Sequence, residues 1–581
     1  METTSIGTFF ENFWQEKLRF SPTYATFCGL HQYDDQVEDL SLKQDSERKK
    51  WLQSVYEKLE GFADRQLSPE EQVSRRILMD DIKLGQKFDP FPLHHLCVDQ
   101  MMGIHLGFLS LVRVHPFKTK TDFKNYIKRL KGHSKQLSQA LGHLKSGLKK
   151  GWTNPPRINE LVIKQLEDFL AKEPRKLPHF QLVESHFSIL GQDQEVIEQE
   201  ILKVLSTRIL PAFEKLKDFL AGPYRNGCRK GEGLCYLPDG KALYSLYIKN
   251  HTGLDLEPQK IHELGLAEVG RIHNEMREVQ KEMGFEGTLP EFFQYMRDEK
   301  TLHYQTREEI VEHHRDLLKR MNERLPDFFG ILPRNEYEVL PMPDFQEREA
   351  PDAYYMPGNS VSNRPGTYYV NTYEPETRAR FNAEVLAYHE AVPGHHLQIS
   401  IAQELENLPE FRKRSTDTAY VEGWALYTEK LSQEMGFYLS PASRFGKLSF
   451  EVWRACRLVV DTGIHAMGWS REQAIHFMKE SGGLSSENIG VEVDRYVVMP
   501  GQALSYKIGE LFLFKLRRKI ESQLGSAFDI REFHDTILCH GALPLEILEE
   551  VVQAHYHGKI DADSNKDSLV NESSESGAFV Y

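Results

Sequence analysis

Recurrent helix-start signals most strongly constrain the fold of this 581-residue chain. A Ser or Thr followed three positions later by Glu or Gln can satisfy the unpaired amides at a helix start. This pattern occurs at residues 68–71, 288–291, 306–309 and 470–473, and apolar residues with helical spacing follow several of these starts. Strand signals are few, at residues 337–340 and 367–372. The sequence therefore predicts a mainly α fold with little β-structure.

Charge and composition limit the partners and the compartment. The chain has 72 Lys+Arg against 86 Asp+Glu, a net charge of −14, which argues against binding nucleic acid or an anionic membrane surface. No apolar run approaches the roughly 20 residues that span a bilayer. Six scattered cysteines, and an N-terminus without basic and apolar signal regions, predict a cytoplasmic protein.

The chain shows no obvious division into independent halves. We expect an N-terminal helical lobe over residues 1–250 and a catalytic lobe over residues 251–560, together forming one continuous structural unit. Residues 561–581 are polar and poor in apolar side chains, which predicts a disordered tail.

One histidine–glutamate segment could bind a metal. It reads His389-Glu-Ala-Val-Pro-Gly-His-His396 and resembles the HExxH helix, in which two histidines one turn apart bind zinc and the glutamate activates water. Here the fourth position after His389 is Pro393, and the histidines come six and seven positions on. Seven residues of straight helix span about 10.5 Å, too far for two ligands of one zinc ion. A helix broken at the Pro-Gly pair can bring one of these histidines back to the metal.

Glu422 is the candidate third ligand. It lies 33 positions after His389, among the aromatic and apolar residues of a predicted helix. Buried carboxylates are rare unless they are paired or bind a metal. The alternative is a glutamate paired with a core arginine.

Several segments together resemble a known family. Residues 389–398, 422–425 and 500–506 look like the signature segments of the family catalogued as domain of unknown function 885, and residues 14–29 resemble its start. The resemblance covers nearly the whole chain, to about residue 560. That family is in turn similar to helical gluzincin peptidases such as angiotensin-converting enzyme, thimet oligopeptidase and carboxypeptidase Taq. The resemblance implies a mostly helical, gluzincin-like fold with a deep channel, a small β-sheet near the active site and a His/His/Glu zinc site.

The resemblance also assigns roles to individual residues. His389 and His395 match the zinc histidines, Glu422 the third ligand and Glu390 the general base. The lengthened spacing makes His396 a rival of His395. We favour His395, because the relatives place a glycine directly before the ligand.

Three further groups complete the expected site. In the related peptidases a downstream tyrosine donates to the oxyanion, and Tyr506 is the first candidate and Tyr496 the second. Arg495 could bind a substrate carboxylate, with a structural ion pair as the alternative. Residues 367–372 resemble the edge strand that pairs with extended substrate, with a core strand as the alternative. Its candidate substrate contacts are Tyr368, Tyr369 and Asn371.

A polar stripe crosses the apolar helix that follows Pro441. Arg457, Asp461 and His465 are four positions apart and share one helical face. Asp461 could orient His465 toward a bound carbonyl group, and the alternative is a solvated face.

These patterns predict a zinc-dependent metallopeptidase that hydrolyses short peptides with zinc-activated water and a glutamate base. Two alternatives remain: a metal-dependent hydrolase of a non-peptide amide or ester, and a non-catalytic helical scaffold with core histidines. The sequence does not reveal the mode of cleavage, the substrate or the oligomeric state.

Overall fold

The computed structural model describes residues 5–343, 347–348, 350–358, 364–482 and 486–574. This part of the chain is mainly helical with one small sheet, which confirms the predicted fold class at that level. The helices of the N-terminal part are α1 Ile6–Phe20, α2 Pro22–Phe27, α3 Leu42–Glu60, α4 Pro69–Phe88, α5 Ile104–Val114, α6 Lys120–Lys150, α7 Pro156–Leu170, α8 Pro178–Glu184, α9 Gln194–Val204, α10 Leu210–Phe219 and α11 Gly240–Thr252.

The later helices hold the predicted metal ligands. They are α12 Pro258–Glu282, α13 Leu289–Asp298, α14 Arg307–Phe328, α15 Ala383–Glu390, α16 His395–Glu404, α17 Glu410–Lys413, α18 Thr418–Glu434, α19 Pro441–His465, α20 Arg471–Ser481, α21 Ser486–Val498, α22 Ser505–Leu524, α23 Ile530–Leu538 and α24 Leu545–Ser574. None of the helices in the described ranges is long and apolar enough to cross a membrane.

Three of the predicted helix starts have caps that the structure shows, at residues 68, 288 and 306. At the start of α4, the hydroxyl of Ser68 accepts from the amide of Glu71, whose carboxylate accepts from the amide of Ser68. The start of α13 has the same reciprocal pair between Thr288 and Glu291. At the start of α14, the hydroxyl of Thr306 accepts from the amide three residues on. These contacts confirm that local side-chain chemistry fixes where the helices begin.

Three short strands form the sheet in the order β1-β3-β2. Strand β1 is Tyr337–Pro341, β2 is Ala353–Met356 and β3 is Gly366–Val370. The central strand β3 pairs in parallel with β1 and antiparallel with β2. The interpretation of residues 367–372 as an edge strand is therefore wrong, because both edges of β3 are occupied by neighbouring strands.

The chain divides into two compact units, of which the first comprises Met1–Leu246 and Ile464–Arg471. Its core is rich in aromatic rings and includes the fully buried His133 and His179. The segment Ile464–Arg471 returns to this unit after the chain has passed through the second. A hydrogen bond holds it in the unit, because the amide of Leu234 donates to Nδ1 of the buried His465 at 3.1 Å. The sequence shows no sign of this return.

The second unit comprises Tyr247–Gly463 and Glu472–Tyr581, and it contains the sheet and the metal-ligand candidates. Its last helix, α24, continues to Ser574, within the segment predicted as a disordered tail. Residues 575–581 lie outside the described part of the chain, and the prediction of a tail there stays a prediction.

Candidate metal centre

A four-residue interruption separates α15, which ends at Glu390, from α16, which begins at His395. The backbone leaves helical geometry at Ala391 and Gly394, with ψ values of −105° and −128°. A Cβ on Gly394 would overlap the backbone carbonyl of His389, so only glycine fits this close approach. The interruption brings the rings of His389 and His395 to 4.8 Å between centroids.

Helix α18 brings a carboxylate to the two histidines. Oε2 of Glu422 lies 3.8 Å from Nε2 of His389 and 3.6 Å from Nε2 of His395. One ligand atom from each residue lies within 4.8 Å of the other two, the one such group of three found in the described part of the chain. The structure thus gathers the three residues that the sequence nominates as metal ligands.

The residues present fit a metal ion. The Oε2 atom of Glu422 is buried and has no hydrogen-bond partner in the described part of the chain, although two imidazoles face it. The distances from this oxygen to the Nε2 atoms of His389 and His395 are longer than a hydrogen bond. Ligands at about 2.0–2.2 Å from a tetrahedral zinc ion lie about 3.3–3.6 Å apart, close to the spacing observed. Two imidazoles and a carboxylate leave the fourth position open, as in catalytic zinc sites.

Electrostatic interactions couple the protonation of these three groups. Burial would raise the pKa of Glu422, but the close imidazole of His395 outweighs it and lowers this pKa to about 2. The reciprocal effect overcomes burial at His395 and raises its pKa. Burial and the nearby His395 hold the pKa of His389 well below its usual value. His389 is thus suited to bind a cation as the neutral imidazole.

A second carboxylate on α18 orients the first histidine. The Nδ1 of His389 donates to Oε1 of Glu429 at 2.7 Å, which leaves Nε2 for the metal. Glu429 is buried and lies 3.4 Å from a guanidinium nitrogen of Arg454. Glu429 lies outside the motifs from which the sequence nominates site residues. Its spacing of seven residues from Glu422, two helical turns on the same face, is the signal that could have found it.

Glu390, the predicted general base, lies next to the ligands and is held by the sheet. Its Oε2 accepts from the backbone amide of Tyr355 in β2 at 3.0 Å. Burial raises the pKa of Glu390 to about 7, although the nearby His395 opposes the shift. A carboxyl group with such a pKa can both take up and release a proton near neutral pH.

His396, the rival ligand, faces another group. Its Nδ1 lies 2.8 Å from the hydroxyl of Tyr355 and 3.3 Å from that of Ser400. It is not part of the cluster of three ligand atoms. The geometry thus favours His395 over His396 as the ligand.

The two candidate tyrosines have different surroundings. The hydroxyl of Tyr506 helps to lower the pKa of Glu422, after the larger effect of His395. Tyr496 is buried, and its hydroxyl accepts from Nε of Arg457 at 3.0 Å and from Nε1 of Trp453 at 3.1 Å. Of the two tyrosines, Tyr506 is therefore the one that influences the pKa of a residue in the cluster.

Arg495 and the polar stripe on α19 form internal contacts. Arg495 lies 3.2 Å from Glu492 and donates to the side-chain carbonyl of Gln502, so the structural ion pair considered for it is present. The three residues of the stripe are all buried: Arg457, Asp461 and His465. The alternative interpretation of the stripe as a solvated face is therefore wrong. The amide of Gly501 donates to Asp461 at 3.0 Å. Nδ1 of His465 accepts from a backbone amide, as described for the first unit.

The three residues nominated on the central strand also have structural contacts. Tyr368 is fully buried, and its hydroxyl lies 2.9 Å from Nδ1 of His314. The ring of Tyr369 packs against that of Tyr354. The buried side chain of Asn371 donates to the carbonyl of Glu347 at 2.7 Å. Tyr368 and Asn371 are thus buried in contacts that hold the sheet and the adjacent loop, whereas a contact of the half-buried Tyr369 with substrate stays a prediction.

Comparisons with known proteins identify the family. Residues 22–552 match the family described as "Bacterial protein of unknown function (DUF885)". No curated protein matches the sequence. The family named from the sequence motifs is thereby confirmed, whereas the relationship to zinc peptidases stays a prediction.

Two solved structures share the fold. The crystal structure of the "putative lipoprotein" from Colwellia psychrerythraea is 26% identical, with a TM-score of 0.88, and the match covers 95% of this chain and 99% of that chain. The "putative lipoprotein of unknown function" from Shewanella oneidensis is 18% identical, with a TM-score of 0.76, over 94% of this chain and 100% of that chain. The second likeness concerns the fold alone.

Proposed function

The chain belongs to the DUF885 family, described as bacterial proteins of unknown function, and this family assigns no activity to it. We propose instead the activity that the side chains of its candidate metal centre support best. That activity is zinc-dependent hydrolysis of the peptide bonds of short peptides. The observation that carries the proposal is the convergence of His389, His395 and Glu422 within 4.8 Å, with a buried carboxylate oxygen that lacks a hydrogen-bond partner among the described residues.

The donor set supports zinc and a catalytic role. Imidazole and carboxylate ligands suit Zn²⁺, and three protein ligands are typical of catalytic sites, whereas structural sites have four. The hydrogen bond from His389 to Glu429 supplies the outer carboxylate that fixes the tautomer of a zinc-binding histidine. Bound zinc would supply Lewis acidity toward a water molecule and a substrate carbonyl.

The protein side chains then have separate tasks. Glu390 takes the proton from the attacking water and passes it to the leaving amine, and a pKa near 7 suits both transfers. Tyr506, beside the ligand Glu422, donates to the oxygen that gains negative charge. Short peptides and the deep channel remain inferences from the resemblance to helical gluzincins. A location in the cytoplasm stays a separate prediction from the sequence.

Metal analysis and a base variant test the proposal together. We expect about one zinc per chain in the purified protein, and loss of zinc from His389→Ala and Glu422→Ala. Glu390→Gln should retain zinc and lose at least 100-fold in peptide hydrolysis, because it lacks the base. Hydrolysis is measured on a mixed library of short peptides by mass spectrometry.

A second histidine–glutamate pair provides the control. Glu263 follows His262 on α12, is exposed and accepts from Gln259. Glu263→Gln should leave both zinc content and hydrolysis unchanged. Wild-type rates in the Glu390→Gln variant would refute the assigned base, and absence of bound zinc would favour a scaffold. Zinc binding with turnover only of non-peptide amides or esters would change the substrate class.

A further inference from the structure

One residue of the sheet contacts both halves of the interrupted metal helix. The amide of Tyr355 donates to Oε2 of Glu390, at the end of α15, at 3.0 Å. The hydroxyl of the same tyrosine lies 2.8 Å from Nδ1 of His396, at the start of α16. The backbone and the side chain of Tyr355 thus bridge the break between the two helices.

The sheet places Tyr355 for both contacts. Tyr355 lies opposite Tyr368 in the antiparallel pair of β2 with β3. Strand β2 is at the edge of the sheet, so an amide that does not pair with β3 can donate to Glu390. On the other side, a Cβ at Gly366 of β3 would overlap the hydroxyl of Tyr355 and lie 2.9 Å from Nδ1 of His396. The glycine therefore leaves the space in which this tyrosine meets the histidine.

Other contacts surround the same histidine. The ring of His396 packs on that of Tyr337 at 4.6 Å, and the hydroxyl of Ser400 lies 3.3 Å from Nδ1. His396 and Val392 also line a cavity of about 880 Å³ beside α14 and β1. Open space on this side would let the ring reorient, and the contact with Tyr355 opposes that reorientation.

We propose that Tyr355 is a positioning residue: it holds Glu390 through its amide and His396 through its hydroxyl, and so keeps His395 as the second metal ligand. The inference rests on the proposed function for its catalytic consequence, but its effect on the metal site is measurable without turnover. His396 is the neighbour of His395 and carries the same ligand group, so a defined ligand set requires that it be held apart. Tyr355 provides that restraint from outside the helix.

The main test removes the hydroxyl and keeps the amide. In Tyr355→Phe, His396 loses its 2.8 Å contact. We expect zinc affinity to fall about 10-fold, the low end of the loss caused by removing a partner of a ligand itself, because Tyr355 acts on the neighbour of the ligand His395. The visible spectrum of the cobalt(II)-substituted protein should change, because it reports the geometry of the ligands. In peptide hydrolysis, kcat should fall about 10-fold while KM changes less than threefold, since the role proposed for Tyr355 is to position the metal site and not to bind substrate.

The adjacent tyrosine is the matched control. Tyr354 packs on Tyr369, so Tyr354→Phe removes the same atom from the neighbouring residue and should leave zinc affinity, the cobalt spectrum and kcat unchanged. A second variant, Gly366→Ala, places a methyl group in the tyrosine–histidine contact and should reproduce the cobalt spectral change.

The outcomes separate this inference from the proposed function. A wild-type cobalt spectrum and zinc affinity in Tyr355→Phe would overturn it. A lower melting temperature with unchanged zinc affinity would also overturn it, because the role would then be structural only. If the wild-type protein binds zinc but hydrolyses no peptide, the proposed peptidase activity fails, and the cobalt spectra still decide the role of Tyr355.

Discussion

At the scale of single residues, the imidazole of His389 lies between two carboxylates of α18. Glu429 accepts from Nδ1 at 2.7 Å, whereas Glu422 lies 3.8 Å from Nε2, beyond a hydrogen bond. The short contact orients the ring, and the long one leaves space for an ion. Two glutamates of one helix therefore have different contacts with the same histidine, which their residue type alone does not reveal.

The orienting carboxylate can be tested by amide substitution. Glu429→Gln should lower zinc affinity about 10- to 100-fold, because the neutral amide makes the zinc-bound imidazole less basic and holds its tautomer less firmly. Competition with a chromophoric chelator measures the zinc Kd. Glu434→Gln, at an exposed position later on α18, should bind zinc like the wild type. Equal affinities in both variants would contradict the role of Glu429.

Asparagine substitutions of the adjacent histidines distinguish the ligand from its rival. His395→Asn should lose zinc, because it removes an atom of the three-ligand cluster. His396→Asn should retain about one zinc per chain with lowered affinity, because His396 acts only through its neighbours. Elemental analysis after dialysis gives the stoichiometry. Loss of zinc from His396→Asn alone would reverse the assignment.

At the scale of secondary structure, the break between α15 and α16 determines whether the histidines can meet. The Pro-Gly pair in the sequence predicts the break. It does not predict the conformation of the four residues between the helices, because that conformation depends on the carbonyl of His389 and on the indole of Trp424. The strand at 367–372 is another example. Its composition predicts β-structure, whereas its central position depends on β2, a four-residue strand with too little pattern to predict.

The break is tested at its glycine. Gly394→Ala should lose zinc and destabilise the protein by about 1–3 kcal/mol or more, because the added methyl group overlaps the carbonyl of His389. Zinc content and the melting temperature are measured together. Gly270→Ala, at an exposed position within α12 with nothing near its Cβ, should retain zinc and gain up to about 1 kcal/mol. Full zinc content in Gly394→Ala would show that the break tolerates a side chain.

At the scale of the whole molecule, the family and the helical class could be predicted from the sequence, and the outer contacts of the site could not. The ligands lie in motifs whose residues are close along the chain. Tyr355 and Glu429, in contrast, meet the metal helix across 35 and 40 positions. Such contacts depend on how elements pack: the spacing of Glu429 from Glu422 indicates a shared helical face, but not the histidine that this face meets.

Buried histidines of the first unit make stability depend on pH. Burial lowers the pKa of His133 to about 4 and that of His179 to about 3, whereas an unfolded histidine has a pKa near 6.5. Between these values the unfolded chain binds more protons, so stability is full above about pH 6.5 and falls as the pH is lowered toward about 4. Two such groups give a slope of about 2.7 kcal/mol per pH unit.

Denaturant titrations between pH 8 and pH 5 measure this slope. His179→Phe should reduce this slope by about 1.4 kcal/mol per pH unit, because phenylalanine does not titrate. The neighbouring rings of Phe169 and Phe213 favour another aromatic ring at this position. His186→Gln, at an exposed position of the same unit, should leave the slope unchanged. A slope in His179→Phe equal to that of the wild type would show that this histidine does not contribute.

The return of residues Ile464–Arg471 to the first unit has a consequence for synthesis on the ribosome. The first stretch of that unit ends at Leu246, and its last piece begins 464 − 246 = 218 positions later. At roughly 5–20 residues per second, translation reaches that piece about 10–45 s after Leu246. Until then the amide of Leu234 lacks its histidine acceptor, so the nascent first unit must wait for most of the second to be translated before it can complete its own fold.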